Sequence, residues 1–235
     1  GGYGVTHSLE QRIDRLESLD EIRQLVAKYA LSLDMRDLDA HVNLFAEDIR
    51  VSRELSGRAH LKAWVDDTLR LQFTGTSHHT GNHIIEFSDP DHAHGVLYSK
   101  NEHECGGEWV IMQMLYWDDY ERKDGRWFFR RRLPCYWYAT DLNKPPIGDM
   151  KMRWPGREPY EGAFHELFPS WKEFWLNRPE GLAEVAEPAD LEGPSQHHAA
   201  YAVDLVFRRR HGSPSLTNAR LPVDASAPSC VGRRT

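Results

Sequence analysis

Four extended segments joined by tight turns are the feature of this chain that most restricts its fold. Between them lie the turns Ser88-Asp89-Pro90-Asp91, Gly106-Gly107 and Lys123-Asp124-Gly125. An Asp-Gly pair between two extended segments is typical of a two-residue hairpin loop. The pattern therefore predicts a four-strand antiparallel meander over residues 78–87, 93–104, 109–121 and 127–140.

Helical periodicity precedes the strands. Apolar residues at helical spacing, with a capping box at Ser8 and Gln11, predict one kinked helix or two successive helices over residues 9–34. Shorter helices are predicted around residues 38–45 and 61–71. Helices followed by strands indicate the α+β class, with the helices packed on one face of a curved sheet. Neither a G-x-G-x-x-G nor a P-loop motif occurs in the sequence.

The chain of 235 residues divides by composition into three parts. Residues 1–140 contain the predicted helices and strands and are expected to form one core. Residues 141–180 combine prolines with many aromatic residues, which predicts an ordered arm with a short helix near 170–176, lying over the core or a neighbouring subunit. Residues 181–235 are predicted to be a loosely held tail.

Charge and hydropathy exclude several classes of protein. The formal charge of −7 argues against a general nucleic-acid binder, which needs an excess of Lys and Arg. No run of about 18 apolar residues and no secretory signal is present, so neither a membrane span nor export is predicted. Three widely spaced cysteines favour a reducing cytoplasm over a disulfide framework.

Two residues could form a base with its orienting carboxylate. Asp34 closes the first amphipathic helix and His78 opens the first strand. A neutral imidazole is a competent base near pH 7, and a carboxylate at its other nitrogen would fix the tautomer. From the residues alone, Asp34 is equally well explained as a turn residue, and His78 is one of 13 histidines.

Strand alternation gives further expectations for the histidines and arginines. Without a bulge, His79 and His83 share the strand face opposite His78. The histidine spacings match no metal motif, so no metal is predicted. Proton abstraction by a base and its carboxylate needs no cofactor, and none is predicted. Arg130 and Arg132 point opposite to Arg131. An inward arginine would meet an anion or form a salt bridge, for which the candidates are Glu102, Glu104 and Asp118.

The motifs resemble the SnoaL-like group of the nuclear-transport-factor-2-like superfamily over about residues 9–140. They are Tyr-x4-Asp at the helix end, Leu-Phe-Ala-Glu-Asp in the second helix, His-His-x-x-Asn at the strand start and the hairpin Tyr-Glu-Arg-Lys-Asp-Gly-Arg-Trp. The resemblance implies a cone-shaped barrel, with a curved mixed or antiparallel sheet wrapped on the N-terminal helices, and here a C-terminal extension. The superfamily includes scytalone dehydratase, bile-acid 7α-dehydratase, hexachlorocyclohexane dehydrochlorinase and lignin-dimer formaldehyde lyases.

The same resemblance implies roles for individual residues. His78 and Asp34 look like the base and its acid, Tyr29 like a pocket tyrosine and Arg132 like a leaving-group arginine. Asn101 stands where the bile-acid enzyme has an acid, so that enzyme's substrate and leaving-group assistance need not transfer. Further residues are expected to line the pocket: Trp64, Tyr98, Lys100, Tyr116 and Tyr136, with Asn101.

The predicted function is that of a cofactor-independent lyase. It would catalyse a base-promoted β-elimination, either dehydration or loss of formaldehyde from a lignin-derived diaryl propane. The high aromatic content favours a small aromatic or polycyclic substrate. Two alternatives stay open, a polyketide-type isomerase or cyclase and a non-catalytic module that binds a ligand or a protein. The arm should bury its tryptophans against the core or a partner chain, because left in water they would form an apolar patch that drives association, and this favours a homo-oligomer, a dimer or trimer.

Overall fold

The protein has the predicted α+β order of helices followed by an antiparallel sheet. The computed structural model describes residues 7–165 and 168–176. Three helices come first: α1 (Leu9–Asp34), α2 (Leu38–Val42) and α3 (Arg58–Gln72). Four strands and a last short helix follow: β1 (Gly75–Asp89), β2 (His92–Cys105), β3 (Glu108–Lys123), β4 (Arg126–Asp141) and α4 (Pro169–Leu176).

Helix α1 is one helix of 26 residues, which settles the choice between one helix and two. The predicted capping box is present: Gln11 N donates to Ser8 Oγ at 3.2 Å, and Ser8 N donates to Gln11 Oε1 at 2.9 Å. These bonds satisfy two backbone donors that a helix start otherwise leaves open. The face that carries Ile22, Leu25 and Val26 is buried. Burial of this face packs α1 against the sheet.

The four strands pair in the order β1-β2-β3-β4, each antiparallel to the next. Asp124 and Gly125 form the last hairpin loop, both with positive φ (51° and 74°), as a type I′ turn requires. Among the described residues no ladder joins β1 to β4, so the sheet is not closed on itself, and the cone-shaped barrel stays a prediction. Helix α1 packs against both of these edge strands. The inner face of the sheet is thus covered by helices instead of by closure of the sheet on itself.

The arm after β4 contacts both faces of the sheet of its own chain. Trp154 packs beside Phe73 and His103 in the main core, with ring centroids 6.0 and 5.4 Å away. Phe164 is buried on the outer face, where its ring lies 5.6 Å from that of Trp137. Before Trp154, Met152 is already fully buried in the main core and bridges to Ala139 of β4, so the arm packs on its own chain along much of its described length.

Helix α4 forms where a short helix was predicted, yet it buries none of its residues. Trp171, Phe174 and Trp175 are 39%, 69% and 51% exposed. The tail predicted at 181–235 lies outside the described residues. In the part of the chain that the structure describes, no helix combines the length and apolar character needed to cross a membrane.

Candidate active site

Asp34 and His78 are joined by direct hydrogen bonds. His78 Nδ1 lies 2.7 Å from Asp34 Oδ1, and the His78 backbone N–H donates to Asp34 Oδ2 at 2.8 Å. The Thr76 hydroxyl donates to Asp34 Oδ1 at 2.9 Å. The packing of α1 on β1 brings the last residue of the helix to the fourth residue of the strand. The contact predicted between the two side chains is present.

The bonds at Asp34 determine which ring nitrogen of a neutral His78 is free. An ionised carboxylate only accepts hydrogen bonds, so Nδ1 must carry the proton and Nε2 the lone pair. Within the described chain, His78 Nε2 makes no hydrogen bond. Burial raises the pKa of Asp34, but the hydrogen bonds from the His78 imidazole and backbone, with that from Thr76, outweigh it and lower the pKa below its ordinary value. The pair can therefore act as a base supported by an anion.

Arg132 lies on the inner face of the sheet in a buried ion pair. Its Nε donates to Asp118 Oδ1 at 2.8 Å and its Nη2 to Asp118 Oδ2 at 2.6 Å, and the two side chains are 5% and 0% exposed. The guanidinium carbon lies 4.1 Å from the ring centroids of both Tyr29 and Tyr116. Burial lowers the pKa of Arg132, but Asp118 outweighs this and raises it. Of the three acids considered from the sequence, Asp118 is the partner.

The third nitrogen of this guanidinium, Nη1, is buried and has no hydrogen-bond partner in the described chain. An unsatisfied charged donor in the interior is costly, so this nitrogen is a candidate for contact with a bound ligand. Arg132 can thus offer one donor to an anionic group without loosening its ion pair.

The other two consecutive arginines lie at the surface. Arg131 points outward, opposite to Arg132 as alternation predicts, and its Nε donates to Asp119 Oδ2 at 2.8 Å. Arg130 was expected to share the face of Arg132, but a register shift in β4 displaces it. Its side chain is 40% exposed and pairs with Asp48. Only Arg132 of the three reaches the interior.

Asn101, Tyr116 and Tyr136 are on the inner face of the sheet, as expected for pocket residues. Asn101 is fully buried, and its Oδ1 accepts a hydrogen bond from the Ser99 hydroxyl at 2.6 Å. The ring of Tyr116 lies edge-on to that of Tyr29, 5.9 Å between centroids. Burial raises the pKa of Tyr116 and Tyr136, so both hydroxyls keep their protons at neutral pH.

Three predicted pocket residues lie elsewhere. Tyr98 and Lys100 alternate along β2 with the buried Ser99 and Asn101, so both are on the outer face of the sheet. Trp64 is 50% exposed on α3, because that helix buries a different side. None of the three lies on the inner face with His78 and Arg132, so their placement does not support the prediction that they bind substrate.

A bulge in β1 changes the direction of His83. The pairing with β2 shifts between Thr80 and His83, so His83 leaves the face of His79 and turns inward. Its Nε2 lies 3.1 Å from Tyr120 Oη, while His79 stays exposed. Burial lowers the pKa of His83 to about 4. The alternation pattern placed His83 beside His79 only for a strand without a bulge, and this strand has one.

The sequence prediction missed two buried histidines that face the candidate site. The His103 ring lies 5.9 Å from that of His78, and its Nδ1 has no partner in the described chain. His41 lies 4.7 Å from the Tyr29 ring, and its Nδ1 is 3.1 Å from the Ser32 hydroxyl. Burial lowers the pKa of both to about 4. Alternation from Asn101 would have placed His103 inward, whereas no pattern marks His41.

Among the described residues, neither a group of metal ligands nor either surface cleft lies at these contacts. Within residues 7–165 and 168–176, no three His, Cys, Asp or Glu side chains are grouped closely enough to hold an ion. Independence from metals stays a prediction. Two surface clefts of about 480 and 580 Å³ are lined by neither Asp34 nor His78.

Comparison with known proteins gives one family match and several relatives. The model of the SnoaL-like domain matches residues 14–133. The γ-hexachlorocyclohexane dehydrochlorinase of Sphingobium indicum is 27% identical over 137 residues, which are 55% of this chain and 87% of that enzyme. A second hexachlorocyclohexane dehydrochlorinase from the same species matches to the same extent.

Solved structures agree with this match. A scytalone dehydratase-like protein from Novosphingobium aromaticivorans is 26% identical and has a TM-score of 0.50, covering 63% of this chain and 99% of its own. A type 2 hexachlorocyclohexane dehydrochlorinase is 22% identical with a TM-score of 0.52, covering 62% and 99%. The latter likeness concerns the fold alone.

Proposed function

The chain belongs to the SnoaL-like domain family, and from this premise we propose that it is a cofactor-independent lyase that carries out a base-promoted β-elimination. The observation that carries the proposal is the Asp34–His78 contact, 2.7 Å between Oδ1 and Nδ1. It supplies a base whose free nitrogen is defined. The two kinds of relative named above, a dehydrochlorinase and a scytalone dehydratase-like protein, support elimination as the reaction class.

The proposed step begins with proton removal by His78. Its Nε2 takes a proton from carbon, and the electron pair of that C–H bond forms a C=C double bond. The group on the neighbouring carbon then leaves with the electrons of its own bond. Asp34 stabilises the imidazolium that forms, because its carboxylate stays ionised and hydrogen-bonded to Nδ1.

Arg132 is proposed to receive the departing group. Its Nη1 is the buried donor without a partner, while Nε and Nη2 are held by Asp118. A leaving chloride would need only this donor, whereas a leaving hydroxide would also take the proton from His78 and depart as water. The Tyr29 hydroxyl is proposed to assist as a further donor, since its ring packs on the guanidinium.

The interior favours a flat apolar substrate. Tyr29, Tyr116 and Phe129 surround the guanidinium, and Tyr136 lies on the same inner face. Aromatic walls gain most from burying apolar rings. Small aromatic or polycyclic compounds are therefore the proposed substrates. Loss of formaldehyde from a diaryl propane diol is a variant in which the base deprotonates a primary hydroxyl, the C–C bond breaks and the benzylic hydroxyl leaves.

Product analysis tests the proposal directly. The protein is incubated separately with γ-hexachlorocyclohexane, a β-hydroxy aromatic ketone and a 1,2-diaryl-1,3-propanediol. The mass of each product is then determined by mass spectrometry. Loss of HCl, water or formaldehyde supports a lyase. A product of unchanged mass would indicate an isomerase, and bound but unchanged compound a binding module.

The neighbouring histidine provides the control for this assay. His78→Ala should remove the reaction, while His79→Ala should not, because His79 is exposed and bonds only to Ser77 within the described chain. Equal loss in both variants would argue against His78 as the base.

The chain is also proposed to work as a homo-oligomer. The exposed aromatic side chains of α4 support this, since Phe174 and Trp175 are more than half exposed. Light scattering after size-exclusion chromatography measures the mass, and a monomer at micromolar concentration would contradict it.

A further inference from the structure

Arg36 has a backbone conformation that an arginine rarely adopts. Its φ is +60°, in the left-handed region. It occupies the position just after the cap of α1, where Asp37 N donates to Ser32 O at 2.9 Å and Arg36 N to Leu33 O at 3.0 Å. These two bonds form a Schellman motif, whose left-handed residue is usually glycine. A glycine there would avoid the steric cost of a side chain.

The side chain of Arg36 shows what the strained position provides. Its Nη1 donates to Leu33 O and to Thr76 Oγ1, both at 2.7 Å. A guanidinium only donates, so the Thr76 oxygen must accept from it. The single hydroxyl proton of Thr76 is then directed to Asp34 Oδ1, 2.9 Å away. At a position that favours glycine, the arginine side chain is thus linked through Thr76 to the Asp34 carboxylate beside His78.

We infer that Arg36 is a positioning residue that acts through Thr76 to hold the Asp34 carboxylate in the orientation that His78 requires. The inference rests on the proposed function, because it gives the pair a catalytic purpose. Arg36 itself touches neither His78 nor Arg132 through any hydrogen bond of the described chain. Its effect on the reaction must therefore pass through Asp34, by way of the Thr76 hydroxyl and, in addition, through the direct attraction between the Arg36 charge and the Asp34 carboxylate.

The relay makes a specific prediction about Asp34. The Thr76 hydrogen bond is one of the interactions that lower the pKa of Asp34. Without Arg36 the hydroxyl is free to rotate, and the pKa of Asp34 should rise. The other titratable groups near Asp34 are His78 and His103, and both remain in the variants.

The test is a carbon-13 NMR titration of the Asp34 carboxyl in the whole protein. Arg36→Gly should raise its titration midpoint, and Thr76→Val should raise it by a smaller amount, because the charge of Arg36 stays in place. The double variant should shift the midpoint by less than the sum of the two single shifts, because both changes interrupt one relay. The thermal midpoint of Arg36→Gly should not fall, since glycine suits the left-handed position. Arg36→Asn, which also tolerates this conformation, keeps the test possible if the glycine variant folds poorly.

Turnover of whichever substrate reacts gives a second readout. Arg36→Gly should lower kcat by about tenfold with KM unchanged, the usual size for a residue that orients a functional group. Arg36→Lys should restore part of it. Lys62→Met, which removes a nearby charge bonded only to Asp39 in the described chain, is the matched control and should leave both readouts unchanged.

The outcomes separate this inference from the proposed function. If no substrate reacts, the Asp34 titration still decides whether Arg36 acts through Thr76. An unchanged Asp34 midpoint in Arg36→Gly, or shifts of Arg36→Gly and Thr76→Val that add, would overturn the inference. A large loss of thermal stability in both Arg36→Gly and Arg36→Asn would also overturn it, by making the residue structural.

Discussion

The two ends of the candidate site hold charge in different ways. At the base end, Asp34 and His78 join a helix end to an edge strand, and their side chains are 24% and 10% exposed. At the cation end, Asp118 and Arg132 lie opposite each other on the neighbouring strands β3 and β4, and both side chains are almost fully buried. A partly open pair can exchange protons with a substrate and with water. A buried pair can only hold a fixed charge, and its removal should disturb the fold.

The largest expected effect is on turnover at the base end. His78→Ala should lower kcat by about 10²–10⁴-fold, the range for loss of a general base. The fold should persist, because the imidazole lies at the partly open end of the site. Circular dichroism checks the fold, and His79→Ala is the control. Retained activity in a folded His78→Ala protein would remove His78 from the base role.

At the cation end the expected loss is in stability. Asp118→Asn leaves the Arg132 guanidinium buried without its counter-ion, which should cost about 3–5 kcal/mol. Urea unfolding measures this. Asp119→Asn changes the next residue, whose bond to Arg131 is about one-third exposed, and should cost about 1 kcal/mol or less. Similar losses in the two variants would show that breaking the buried ion pair costs no more stability than breaking the exposed one.

Both ends should weaken the fold in acid through neutral buried histidines. Burial lowers the pKa of His103, near the base end, and of His41, near the cation end, to about 4. The unfolded chain, with an ordinary histidine pKa of about 6.5, binds these protons first. Stability should therefore fall as the pH drops from about 6.5 to 4, by on the order of 3 kcal/mol for each histidine at most.

Urea unfolding at several pH values between about 4 and 6.5 measures how steeply the free energy of unfolding changes with pH. His103→Leu and His41→Asn should each flatten the curve, whatever they do to stability at pH 7. If neither variant changes the slope, the histidines are not the groups that take up protons.

The elements were predictable from sequence because their signals are local. The change of period near residue 78 and the turns at Pro90, Gly106 and Asp124-Gly125 fixed four strands to within a few residues. Closure of the sheet was not predictable, since pairing of β1 with β4 is a long-range event without a local pattern. The family resemblance led to the prediction of a cone-shaped barrel, and of this the structure shows a sheet that is not closed, with helices on its inner face.

Side-chain directions were predictable only where a strand alternates strictly. Lys100 and Asn101 are adjacent on β2, so both could not face one pocket, and alternation shows which of them is inward. The bulge before His83 inverts that rule on β1 without a sequence signal strong enough to place it. Arg36 was missed for a similar reason: its role depends on a left-handed backbone where glycine is the expected residue.

The smallest expected effect on stability is that of Asp34→Asn, which makes at the base end the same carboxylate-to-amide change that Asp118→Asn makes at the cation end. Asp34→Asn removes a partly exposed charge and leaves no buried unpaired cation, so the cost in stability should be about 1 kcal/mol.

The pH range in which Asp34 affects stability also differs from that of the histidines. The lowered pKa of Asp34 gives stability above its ordinary value of 3.8, and this is lost as the pH falls through the folded value. Asp34→Asn should therefore flatten the curve only below about pH 4. Turnover should fall nevertheless, because an amide cannot balance the imidazolium. A stability loss as large as that of Asp118→Asn would mean that the two ends are held in the same way, and the contrast between an open base and a buried cation would have to be abandoned.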